Sequence, residues 1–201
     1  MGVSLNYKLG QKLNCVKSTL DHAQAIAQAY KTEQADKLGI SVTIRRENAN
    51  SLLIDIGNCE TLSFCFRTVR EINEASKLGW DYAHATLTDY GRTQLDEGYE
   101  IGKYPQNETA YTAGFCKTQF AHSLAEHKWV AEIIRAVASR CFMAHVNDEG
   151  DYYHSGDINE AGEAIHENGQ LIGLIGKQLA GLGYKESDMI KGETVIKPLK
   201  K

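Results

Sequence analysis

The sequence predicts an α+β fold, with a mostly antiparallel or mixed sheet of about five to seven strands covered by two or three long helices. Three observations lead there. Short runs alternate apolar and polar residues as half-buried strands do, longer runs repeat apolar residues at the helical period, and compact turns join the early strands into hairpins.

Val3, Leu5 and Tyr7 fall on one side of a first strand over residues 3–9. From Asn14 to Gly39 a helical period runs through Val16, Leu20, Ala23, Ile26, Ala27 and Tyr30, and Gly39 stands where such a helix stops. Val42 and Ile44, the turn Asn48-Ala49-Asn50, and Leu52, Ile54 and Ile56 make a hairpin. After Gly57-Asn58, a further antiparallel strand carries Leu62, Phe64 and Phe66, so the first third reads β-α-β-β-β. Residues 70–111 hold a short helix at Glu71–Leu78 and then no sustained period; a stretch of that length is usually functional or poorly ordered, or else contains elements that periodicity misses. Its tyrosines argue against disorder, because aromatic rings carry large buried area.

A strand is expected at Ala113–Phe120, followed by the clearest helix in the chain. Ser123 and Glu126 have the spacing of a capping box, in which the hydroxyl serves one orphan amide and the carboxylate returns to the cap. Val130, Ile133, Ile134, Val137 and Cys141 supply its buried stripe. Phe142–Val146 reads as a strand, Asp157 with Glu160 as a second cap, and Ala161, Ile165, Ile172, Ile175 and Leu179 as the face of a last helix. Residues 1–190 form a single domain, and 191–201 a Lys-rich tail.

Composition narrows the functional classes. Apolar residues at 42% and charged residues at 24%, with 18 Gly and 2 Pro, describe a chain that folds. A net charge of -4 offers no general attraction to phosphate backbones or anionic lipid, so nucleic acid and membrane are not expected partners. The amino terminus lacks the basic and apolar segments of a secretory signal, which points to the cytoplasm. Five cysteines without a CxxC pair suit neither a disulfide framework nor a zinc ribbon. Calcium-loop, HExxH and phosphate-loop patterns all fail on the residues their positions require, and the sequence leaves the cofactor unknown.

Reactive side chains gather between Phe115 and Asp157. Cys116 and Lys117 are neighbours on a strand, so a regular strand sends them to opposite faces. A cysteine nucleophile needs a base, and His127 is the nearest in the chain; Cys116 as a small core residue and His127 as a hydrogen-bonded core histidine are the competing readings. Helical spacing turns His127 toward Val130 and Ile134, inward. Lys117, Thr118 and Gln119 form a polar run that either presents donors to an anion or is the solvated face of an edge strand. From Asn147 to Glu167 there are seven acidic residues and no Lys or Arg, with Asp148 and Glu149 just after a strand. Carboxylates there serve acid/base work or a divalent metal, or simply cap the next helix in solvent.

Phe115-Cys116-Lys117-Thr118-Gln119-Phe120-Ala121, the helix carrying His127, and Asp148-Glu149-Gly150-Asp151-Tyr152-Tyr153 together resemble a family of uncharacterised bacterial proteins. Its members carry FCKTQ followed by an aromatic residue and Ala, a helix with a His, and a DEGGYW-like stretch. Gly2 to Tyr7 and Cys59-Glu60 are also similar; Asn147, Asp151 and Tyr153 depart from the Ser, Gly and Trp of the pattern. No activity attaches to that family. The resemblance implies one cluster of Cys116, Lys117, Gln119, His127, Asp148, Glu149 and Tyr152. The expectation is a small cytoplasmic enzyme or ligand-binding protein with a polar cleft between residues 115–127 and 148–153 and a small anionic ligand. The alternative is a non-enzymatic module that contacts a protein partner through the tyrosine-rich segment 80–111.

Overall fold

The computed structural model describes residues 3–72, 107–118 and 124–159, together with 162, 163 and 166. In chain order they form β1 (Ser4–Lys12), α1 (Leu13–Tyr30), a π-helical segment (Lys31–Ala35), α2 (Asp36–Leu38), β2 (Val42–Asn48), β3 (Ser51–Ile56), β4 (Leu62–Cys65), β5 (Arg67–Thr68), β6 (Thr109–Lys117), α3 (Leu124–Ala138), β7 (Met143–Asp148) and α4 (Tyr152–Ser155). The seven strands pair antiparallel throughout, in a sheet ordered β5-β6-β1-β7 and a second ordered β2-β3-β4. The fold is α+β.

Strand β1 lies inside the larger sheet, paired with β6 on one side and β7 on the other, and its burial alternates from Ser4 to Leu9. Leu5, Tyr7 and Leu9 are buried on one face, and each sits directly opposite a residue of both neighbours: Leu5 faces Cys116 and Asp148, Tyr7 faces Gly114 and Val146. Tyr7 also ties the two sheets together. Its phenol passes over Gly114 and donates to the Ser63 carbonyl of β4 at 2.5 Å. A Cβ at Gly114 would stand 2.5 Å from that phenolic oxygen, so the crossing needs glycine there. Beside it the Cys65 amide donates to the Thr112 hydroxyl at 3.1 Å.

The helices cover the inner face. On α1 the buried positions Val16, Thr19, Leu20, Ala23 and Ala27 follow the helical repeat, and on α3 Val130, Ile133, Ile134 and Val137 do the same. Fully burying a Val, Leu or Ile side chain contributes about 1.5–3 kcal/mol. Tyr30 stacks on Trp129 with ring centroids 5.1 Å apart, and its phenol donates to Glu132, joining α1 to α3. Gly39 ends the first helical run at φ 67°, a left-handed conformation in which glycine has no Cβ to strain.

Several boundaries differ from those the sequence suggests. Strand β6 begins at Thr109 rather than Ala113, because β1 extends to Lys12 and the ladder carries its partner back to Thr109. Strand β7 reaches Asp148, which pairs with Leu5 and so ends a strand instead of lying on a loop. Helix α3 stops at Ala138, leaving Cys141 beyond it with its thiol donating to the Val137 carbonyl at 3.3 Å. The long helices described are two, of 18 and 15 residues. The excursion over 73–106, the capping Ser123, nearly all of the expected helix 161–179 and the tail 191–201 lie outside the described residues.

Candidate functional site

One end of the sheet gathers the β3–β4 connection, the end of β6 and the end of β7 around the first turn of α3. Glu126 and His127 are both fully buried there, and being adjacent on a helix they leave it about 100° apart. Glu126 turns to the β3–β4 connection, where its carboxylate accepts from the Asn58 amide at 3.0 Å. Gly57 makes this approach possible: it sits at φ 52°, and a Cβ there would collide with the Glu126 carboxylate. His127 turns to the other side. Its Nδ1 is 2.7 Å from the Thr118 hydroxyl at the end of β6, and its Nε2 is 3.3 Å from Asp148 Oδ2 at the end of β7. Gly150 packs against the imidazole, and a Cβ on it would come within 3.0 Å of both Cε1 and Nε2.

Asp148 organises the chain that follows it. One carboxylate oxygen accepts from the Gly150 amide at 2.9 Å and the other from the Tyr153 amide at 2.8 Å, which closes the turn into α4. Burial alone would push this carboxyl up, but the His127 imidazole and the two amides outweigh it and hold Asp148 below the ordinary aspartate range. The imidazole is less well served. Nε2 approaches Asp148 without the alignment of a formed hydrogen bond, and it is one of two fully buried side-chain nitrogens among the described residues in that condition. The Thr118 hydroxyl also lies 3.4 Å from the Val3 carbonyl. A hydroxyl on one ring nitrogen and a carboxylate beside the other fix the orientation of the imidazole.

The other candidates hold different places. Cys116 is fully buried on the inner face and donates its thiol to the Glu60 carbonyl at 2.9 Å. Burial, with Cys59 and Glu60 close by, pushes that thiol well above its ordinary value, away from the thiolate a nucleophile requires. Lys117 points to the outer face as strand alternation requires, 3.4 Å from a Glu60 carboxylate oxygen and over the Phe115 ring. Glu149 accepts from both the amide and the hydroxyl of Ser4 at 2.8 Å, fastening β7 to the start of β1. Tyr152 is buried edge-on to His127 and donates to Glu132 at 2.9 Å, while Arg135 donates to the Tyr152 and Tyr153 carbonyls. Burial and the Glu132 carboxylate push the Tyr152 phenol up. Gln119 lies outside the described residues.

The structure thus joins His127 to Asp148, with Tyr152 beside them, and directs Cys116, Lys117 and Glu149 elsewhere. Thr118 is the His127 partner that sequence reasoning left out of the cluster, and Glu126 is a buried carboxylate next to His127 that turns away from it to Asn58. Thr118 was within reach of such reasoning: two residues after an inward Cys116, it must face inward too. Glu126 gives no such signal, because its spacing from Ser123 reads as a cap and its contact with Asn58 spans 68 positions. Among the described residues no group of three His, Cys, Asp or Glu side chains is placed to hold a metal ion, and no helix is long and apolar enough to cross a membrane. Compared with known proteins, the chain matches no family model, no curated protein and no solved structure.

Proposed function

We propose that this chain is a small enzyme or ligand-binding protein working at the sheet end around His127, with Thr118, His127 and Asp148 as its proton-handling group. The observation that supports it most is the enclosed imidazole whose Nε2 lacks an aligned partner although a carboxylate stands 3.3 Å away. A buried ionisable pair is weak support for stability, since apolar residues of similar volume often do as well; perturbed buried ionisable groups concentrate at functional sites. In this reading Asp148 orients the imidazole, Thr118 holds Nδ1 by a hydrogen bond, and His127 is the proton carrier, while a small anion contacted by Lys117 would lie on the opposite face of the strand, apart from His127. Five unpaired cysteines fit a reducing cytoplasm.

A second reading is favoured by the bonds that Cys116, Glu149 and Tyr152 already make. It takes the cluster as a clasp that closes the sheet end, in a non-enzymatic protein whose partner is bound by the tyrosine-rich segment 80–111. Thermal unfolding against divalent metals, nucleotides, sugars and acidic metabolites separates the two, run on the parent and on Thr118→Val, with circular dichroism to establish that the variant is folded. A compound that raises the midpoint by several degrees in the parent and not in the variant supports the first reading. A panel without effect on the parent, with a variant that merely melts lower, overturns it in favour of the clasp.

A further inference from the structure

We draw no further inference here: the strongest candidate, the outer face of the four-stranded sheet where Phe115 stands 45% exposed beside Lys117, Asn6 and Asn147, carries nothing because nothing in the structure shows what covers it.

Discussion

Replacing Asp148 with asparagine removes the charge and one acceptor while keeping the shape. The native carboxylate serves the Gly150 amide with one oxygen and the Tyr153 amide with the other. An amide side chain keeps a single oxygen, so one backbone N–H is left facing an NH2 group; an unsatisfied donor of this kind costs about 1–3 kcal/mol. The surviving bond loses its charge assistance, worth roughly another 1 kcal/mol. We expect a loss of about 3 kcal/mol at pH 7, which for a chain of this size lowers Tm by about 6–12 °C. The pH dependence follows from Asp148 being held below its ordinary value in the folded state. A depressed carboxyl contributes stability that is fully present above the unfolded-state pKa of about 3.9 and lost as pH falls through the folded value. Protonated aspartic acid resembles asparagine, so the difference between parent and Asp148→Asn should be widest near neutrality and close in acid. Urea unfolding of both proteins from pH 7 downward measures it, and the other carboxyl groups cancel in the difference. A variant within about 1 kcal/mol of the parent at pH 7, or a gap undiminished in acid, would refute the reasoning.

Gly57→Ala should destabilise by about 1–2 kcal/mol from the left-handed backbone alone and by more from displacing Glu126; in a Glu126→Ala background, denaturant titration should recover only the backbone part. Gly150→Ala pushes on the His127 ring from 3.0 Å, with an expected loss of about 1–3 kcal/mol in the same assay. An unchanged midpoint would mean that the ring is not confined. Thr118→Val removes the hydroxyl at Nδ1, so we expect a loss of about 1–3 kcal/mol together with a moved side-chain nitrogen resonance for His127 in NMR spectra; a static resonance would contradict the contact. Cys116 should resist alkylation at pH 8 until the protein unfolds, because its thiol is enclosed and pushed well up. Peptide mass spectrometry that found Cys116 labelled in the native state as fast as Cys15 would show the inner face to be open.

Much of the architecture was legible along the chain. Local alternation and helical repeats are written in neighbouring residues, which is why β1, the first helix with its stop at Gly39, the β2–β3 hairpin and the inward turn of His127 could all be read from spacing. Periodicity also separated Cys116 from Lys117, one inward and one outward. It could not place the ends of β6 and β7. Those are set by how far β1 extends and by the ladders that bring Lys12 to Thr109 and Leu5 to Asp148.

The sequence by itself determined the α+β class, most of the described core and the stretch in which the polar cluster lies, because each follows from the faces that short segments bury. Only the tertiary structure decided which of those polar residues meet. The contacts of His127 with Thr118 and Asp148, of Glu126 with Asn58 and of Glu149 with Ser4 each depend on antiparallel registers and on where one helix begins over the sheet. Such registers are fixed by burying whole faces against one another, and no spacing within a single segment encodes them.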